Sequence, residues 1–593
     1  MGFKALLAAL LFLFFSFHVL SQPVPNREFR GVWVATVSNL DWPVKGASAE
    51  NQKAALSAMF DRIKEANLNV VFFQIRTECD AFYSSSREPW SRFLTGTQGV
   101  SPGYDPLAFA IEEAHKRGLE LHAWFNPYRV NASTSTSLTY AANHVTHTKP
   151  AWILSFSNGK KILNPGLPEV RQYITAVVSE VAANYAVDGI HFDDYFYPYP
   201  EGNFAGITNE DAGTFSLYGS GFTNIKDWRR NNVNETIRLV HEQLAAIKPG
   251  VRFGVSPFGI WKNGVPAGIT GMDAYNTIYA DPVTWLENQY VDYISPQLYW
   301  QIGGAQDYRT LLQWWAGKAY SSSRHLYAGH ALYKTTFSEQ EVPNQVNITR
   351  DNRSQNALGG VLYRAANLTS NTNNIFSNLR NTTFKTPAAP PSMAWKGGHK
   401  PAAPGSLTVT LDEATGAHNI TWQRNPANTD SFKRYILYNL ASPVNNTSDI
   451  PDGAVRALTV SESFTINAGE VSLQGAYWAV TELSPDNVES DLSQAATIGG
   501  VTAIARKTEK HQLKVYPNPA TNRFLVDFEL KKNAEVRAEL VSLDGKVRTR
   551  ILRKRFNAGA HTISVERGKL APGMYLFVLT IDRTRTTKRV LLI

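Results

Sequence analysis

The 593-residue chain has a single cysteine, Cys79, so no disulfide framework can brace it and no cysteine beside the N-terminus can carry a lipid anchor. Its stability must come from packed cores. After Leu20 no segment approaches the roughly 20 uninterrupted apolar residues of a membrane-spanning helix, so no span is expected in the mature chain. The sequence also lacks HxH and HExxH spacings, and neither a metal nor another cofactor is expected. A net charge of +9 suggests nucleic acid, but the excess is local. Residues 501–593 hold 20 Lys and Arg against 8 Asp and Glu, an excess of +12, so the remainder carries −3. A basic surface confined to one terminal module, without interleaved aromatics, does not describe a nucleic-acid groove.

What is abundant is apolar and aromatic: 43% hydrophobic residues and 12% aromatic, with 14 Trp and 25 Tyr. Such residues fill cores, and their faces also suit sugar rings. The length calls for about three domains. Lys4 followed by the apolar run Ala5 to Leu20 and then Pro23 and Pro25 predicts a cleavable signal peptide over residues 1–21, hence export.

From Phe29 to about Asn381, short apolar runs alternate with helical periodicity, the pattern of parallel β/α folds. Eight strands are predicted: Phe29 to Val37, Asn69 to Ile75, Leu119 to Phe125, Gly189 to Asp194, Arg252 to Phe258, Val291 to Leu298, His325 to Ala331, and Gly359 to Tyr363. Eight such units predict a (β/α)₈ TIM barrel over residues 27–385. Residues 386–404, rich in proline, read as a linker. Because every predicted strand and candidate catalytic group precedes it, a fragment of residues 22–385 is expected to fold and act alone.

Two small all-β sandwich domains are expected beyond. Alternating runs over residues 405–500, with Trp422 in the inter-sheet core, resemble a fibronectin type III module. The final segment, 510–593, contains Val515-Tyr516-Pro517-Asn518-Pro519, Pro572-Gly573-Met574-Tyr575 and a Lys588-Arg589-Val590-Leu591-Leu592-Ile593 end. It resembles the C-terminal sorting domain of type IX secretion substrates. That resemblance implies the type IX machinery as partner and a secreted or surface-attached product, across the outer membrane of a Gram-negative bacterium.

In TIM barrels the reacting groups stand at the C-terminal ends of the strands, so inward-facing polar residues there are the candidates. On the second strand Gln74, Arg76, Glu78 and Asp80 share one parity, and on the third His122, Trp124, Asn126 and Tyr128 do, with Arg129 following. The fourth places His191, Asp193 and Tyr195 on one face and ends in two acids, Asp193 and Asp194. The sixth offers Ser295, Gln297 and Tyr299, then Trp300; the seventh offers His330, the eighth Arg364. Burying so many polar groups is costly unless they bond one another or a ligand. Asp188 begins the fourth strand at the bottom of the barrel and is expected to be structural.

Asp188-Gly189-Ile190-His191-Phe192-Asp193 resembles the fourth-strand motif of barrel glycosidases, in several of which the last Asp is the catalytic carboxylate. Arg30-Gly31-Val32-Trp33, Gly103-Tyr104-Asp105-Pro106-Leu107, His122-Ala123-Trp124-Phe125-Asn126-Pro127-Tyr128-Arg129, Phe192-Asp193-Asp194-Tyr195 and Ser295-Pro296-Gln297-Leu298-Tyr299-Trp300 together resemble the glycosyl hydrolase-like family ten, also called domain-of-unknown-function group 187. The resemblance covers nearly the whole barrel. It implies glycoside hydrolysis of a poly- or oligosaccharide, and in some members the cleavage of peptide-free peptidoglycan strands. Such chemistry needs an acid for the leaving oxygen and a carboxylate as nucleophile or base. Asp193 is the candidate nucleophile or base; Glu78, then Asp194 and Asp80, are candidate acids. His122, Asn126, Tyr128, Gln297 and Tyr299 would bind hydroxyls, Trp124 and Trp300 would stack on rings, and Arg129, His191, Tyr195 and Arg364 would complete the lining. A non-catalytic glycan-binding protein and a metal-dependent sugar deacetylase are the alternative classes.

Overall fold

The computed structural model describes residues 24–132, 138–467, 476–497, 500–501, 513–542, 548–568, 570–581 and 584–593. The expected signal peptide lies outside the described residues. Eight parallel strands form a closed barrel: β1 (Phe29–Val34), β2 (Val70–Arg76), β3 (Glu120–Phe125), β4 (Gly189–Phe192), β5 (Arg252–Val255), β6 (Tyr293–Ile294), β7 (His325–Ala331) and β8 (Ala357–Tyr363). Each pairs with its neighbours in sequence, and β8 closes on β1 with Phe29 opposite Gly359. The chain is therefore a (β/α)₈ TIM barrel followed by antiparallel β-sheet units. Several strands are shorter than predicted, because polar residues beyond Val34, Phe192, Val255 and Ile294 leave the ladder for the rim loops.

Side-chain alternation sorts two cores. Outward residues such as Val32, Val34, Val71, Phe73 and Ile75 pack beneath the helices, whereas Phe29, Trp33, Phe72, Trp124, Tyr293 and Tyr327 fill the interior. Phe29 stacks on Tyr327 with centroids 3.8 Å apart. Rings that large leave no room for neighbouring side chains. A Cβ on Gly189 would lie 2.5 Å from the His122 ring and one on Gly254 2.2 Å from Tyr293, so glycine is required at both. The helices start where the sequence supplies caps. Ser48 accepts from Asn51 N ahead of Ala49–Glu65, and Asp105 and Asp281 cap helices that open on Pro106 and Pro282.

The described residues of 405–501 form two antiparallel sheets around Ile420, Trp422, Tyr435 and Trp478. This sandwich sits against the N-terminal ends of the barrel strands. Arg434 donates to Glu120 Oε1 at 2.8 Å with both side chains fully buried, and Arg252 meets the same carboxylate at 3.2 Å. The proline-rich segment is fixed to this end too: Ala389 N donates to Asn26 O at 2.9 Å and Trp395 Nε1 to Asp292 Oδ1 at 2.8 Å. Cutting at 385 would remove Arg434 and strip cover from Glu120, which bears against the expectation that 22–385 stands alone. The described residues of 513–593 form a separate unit of two antiparallel sheets with its own core, centred on Phe524, Val536, Phe577 and Leu579.

Candidate active site

At the opposite end of the barrel lies a cavity of about 320 Å³, lined by Trp33, Trp124, Asp193, Asp194, Tyr195, Tyr199, Ser256, Phe258, Gln297, Tyr299, Tyr333 and Tyr363. Seven strands deliver these residues at or just past their C-terminal ends. β2 contributes from behind. Gln74 holds the backbone N–H groups of Thr36 and Val37 on Oε1, each at 2.9 Å, and donates through Nε2 to Asn126 Oδ1 at 2.6 Å. Asn126 in turn donates to Asp193 Oδ2. The loop leaving β1 is thereby tied to the carboxylate.

Asp193 lies immediately after β4 and is 4% exposed. Its Oδ2 also accepts from Trp124 Nε1 at 3.2 Å, and its Oδ1 from Tyr195 N at 3.3 Å. All three partners are obligate donors, an arrangement suited to an ionised carboxylate. Asp194 accepts from the Tyr199 hydroxyl and from the Gln297 side chain. Both partners can also accept, so Asp194 can carry a proton without leaving a lone pair opposed. Burial pushes both carboxyls upward, and for Asp193 the neighbouring Asp194 charge adds to it; Arg129 pulls both the other way. Two like charges this close titrate as a unit, so the proton belongs to the pair.

Beneath the pair, His191 Nε2 faces Trp33 Nε1 at 3.2 Å and Ser256 Oγ at 3.0 Å, while Nδ1 faces Tyr293 OH at 3.1 Å. The indole can only donate, so His191 Nε2 accepts and the ring is neutral; burial depresses its pKa well below the usual histidine range. It supports the floor.

Among the other residues expected at the mouth, Trp124, Tyr195, Gln297 and Tyr299 line the cavity, and Asn126 and Arg129 stand behind it. Trp300 packs edge-on against the lining residue Phe258, with centroids 5.6 Å apart. The rest are engaged elsewhere. Glu78 is paired with Arg92 at 2.8 Å and accepts from Ala132 N. Asp80 Oδ1 accepts from Thr77 Oγ1 at 2.7 Å and Glu78 N at 2.9 Å, pinning its own loop. His122 is wholly buried in the interior, 2.9 Å from Tyr293 OH. Tyr128 bonds Thr236 at 2.6 Å on the outer helix Ile225–Ile247, because strand alternation ends with Phe125 and no longer governs residues beyond it. Arg364 is held by Asp41 at 2.6 Å. His330 is buried against Gln345.

Trp33, Tyr199, Ser256, Phe258, Tyr333 and Tyr363 also line the cavity and are not among the residues that strand parity selects. Trp33 and Ser256 were legible as the residues at, or just past, the ends of two apolar runs. Tyr199, Phe258 and Tyr333 sit on loops with no periodic signal.

Comparison with known proteins places residues 28–346 in the family described as Glycosyl hydrolase-like 10, and residues 514–593 in the secretion system C-terminal sorting domain. "Glycosyl hydrolase YngK" of Bacillus subtilis (strain 168) is 36% identical over 455 residues, 73% of this chain and 88% of that protein. "Glycosyl hydrolase DigH" of Escherichia coli (strain K12) is 41% identical over 330 residues, 52% of this chain and 74% of that protein. Among solved structures, the PgaB (BpsB) glycoside hydrolase domain from Bordetella bronchiseptica matches with 12% identity and a TM-score of 0.39, covering 61% of this chain and all of that one.

Proposed function

From the premise that this chain belongs to the glycosyl hydrolase-like 10 family, we propose that its barrel mouth hydrolyses glycosidic bonds, with Asp193 as the carboxylate and Asp194 as the acid. The observation that carries this reading is that, among the described residues lining the cavity, these two are the only carboxylates, and that burial raises both. A carboxyl raised toward neutrality can hold a proton at working pH and deliver it to a leaving oxygen. Asp194, whose partners tolerate the protonated form, takes that role. Asp193 is pushed up to about 7 and Asp194 to about 6, so the pair shares the proton at rest; in the reacting state the three N–H donors favour the ionised form on Asp193, which either attacks the anomeric carbon or activates water against it. The positive charge that develops on the sugar ring in the transition state is countered by the Asp193 charge in a site shielded from water.

Sugar rings find flat partners in Trp33, Trp124, Phe258, Tyr299, Tyr333 and Tyr363 around the pair. The substrate we favour is the peptide-free glycan strand of peptidoglycan. The sorting domain points to secretion or attachment at the cell surface, so the polymer would be met outside the cell that makes the enzyme.

Product analysis on a panel of glycans, peptide-free peptidoglycan strands included, tests this directly. New reducing ends that disappear in Asp193→Asn and survive chelator treatment are expected. Tight binding without any new reducing end would move the protein to the glycan-binding class, and released acetate without chain cleavage to the deacetylase class.

A further inference from the structure

Beside the carboxylate pair lies a second cavity, of about 200 Å³, that shares Tyr195 and Tyr199 with the first. Its other walls include Arg129, Lys160, Lys161 and Ile162. The two cavities are therefore neighbouring compartments along one surface, separated by tyrosine rings, as adjacent sugar subsites would be.

Local structure brings the three cations together. The strand Lys161–Leu163 pairs antiparallel with Ile153–Ser155, and on its other side Ile162 bridges Arg129. Val130 N donates to Lys161 O at 3.0 Å and Lys161 N to Asn131 Oδ1 at 2.7 Å, locking the hairpin to the segment after β3. Arg129, 9% exposed, spends its Nε on Thr77 O and its Nη2 on Asn126 Oδ1, both neutral acceptors, under the Tyr195 ring at 4.9 Å. Among the described residues no carboxylate lies within ion-pair distance of Arg129 or Lys161, and the Lys161 ammonium faces only the Tyr140 ring at 5.5 Å. Lys160 pairs with Glu201, whose side chain is 68% exposed, a contact that exchanges readily with solvent. The Asp193–Asp194 pair attracts Arg129 only from beyond ion-pair distance, so a buried guanidinium and a half-buried ammonium without a direct carboxylate partner among the described residues leave a place for an anion.

We propose that this second cavity is the subsite for a sugar residue bearing a carboxylate, seated next to the residue whose bond is cut. This rests on the reading of the mouth as a glycosidase site. A carboxylate matches the planar Arg129 fork, and its single charge meets less repulsion from Asp193 and Asp194 than a doubly charged phosphate would. Tyr195, Tyr199 and Ile162 offer the sugar's apolar face a wall.

The test is calorimetric binding by the full chain and needs no turnover. The probes are chitotetraose, a peptide-free peptidoglycan tetrasaccharide that adds lactyl carboxylates to the same backbone, its methyl ester, and a hyaluronan tetrasaccharide with uronate carboxylates. Wild type should bind the lactyl acid roughly tenfold tighter than its ester, about 1.4 kcal/mol. Lys161→Met should reduce that preference to within about twofold while leaving ester and chitotetraose affinities unchanged, and Lys161→Arg should restore it. A matching preference for hyaluronan over its ester would assign uronate as an accepted source of the same group. Equal binding of acid and ester by wild type, or equal weakening of both by Lys161→Met, overturns the proposal. Absence of hydrolysis of every glycan with the preference intact would sink the glycosidase reading and leave the subsite; hydrolysis with no acid preference would do the reverse.

Discussion

Glu120, at the start of β3, and Asp193, just past the end of β4, are both buried carboxylates of one barrel, yet their surroundings drive them in opposite directions. Burial alone would raise Glu120, but Arg252, His122 and Arg434 hold it well below the usual carboxylate range. Asp193 is raised, because burial and the neighbouring Asp194 charge outweigh the lowering by Arg129 and by the N–H groups that donate to it. The lower end has matched its charges and covered them with the sandwich. The upper end leaves two acids facing an open cavity. Barrel bottoms serve stability and barrel tops chemistry, and here the difference is visible in how each carboxylate is partnered.

The largest expected effect comes from removing the upper charge. Asp193→Asn should lower kcat/KM by about a thousandfold or more, roughly 4 kcal/mol of transition-state stabilisation, with no loss of melting temperature. Retention of more than about a tenth of the rate would pass the central role to Asp194.

Removing the lower charge should do the reverse. Arg434→Met leaves Glu120 short of a buried partner and should cost about 3 to 5 kcal/mol in urea unfolding of the full chain while kcat stays within about twofold. An unchanged midpoint would mean that the sandwich does not stabilise this end.

A third contrast is in pH. For the Asp193–Asp194 pair the folded pKa values are raised above the unfolded value near 3.9, so between about pH 4 and 7 the folded state binds more protons and its stability falls as pH rises. Asp193→Asn should flatten that slope by roughly 1 to 3 kcal/mol. Glu120 has the opposite sign: its contribution is present above the unfolded value near 4.3 and is lost only as pH falls toward its depressed folded value. Unfolding free energies measured across this range should therefore separate the two ends, and a wild-type slope left unchanged in Asp193→Asn would refute the raised pair.

Smaller effects should come from single hydroxyls. Tyr199→Phe removes a donor to ionised Asp194, so the alkaline limb of the rate profile should move upward by about half a unit to one unit, with the maximal rate within about tenfold. Tyr128→Phe, which loses only the Thr236 contact, should cost about 1 kcal/mol of stability and leave turnover unchanged.

The sequence signals were of unequal reach. Strand interiors such as Val70–Arg76 and His325–Ala331 were legible because a wall between two cores demands continuous apolar runs. The Asp193-Asp194 doublet was legible as polar residues at the end of such a run. Parity carried Trp124 to the cavity but failed at Tyr128 and Arg364, since alternation holds only while the residue remains in the ladder. Glu78 and Asp80 share the parity of Gln74, yet they lie beyond the end of β2, where local bonds to Arg92 and Thr77 decide their direction.

By itself, then, the sequence determined the eight-strand barrel, the two β units that follow it and the acids at the end of β4, because these follow from periodicity and composition along the chain. Only the tertiary structure decided that Arg434 closes the barrel floor on Glu120, that Gln74 reaches Asp193 through Asn126, and that Lys161 and Arg129 share a cavity beside it. Those partners lie from 30 to more than 300 positions apart, and a pairing across such a separation depends on where the folded backbone brings each side chain, which no local pattern records.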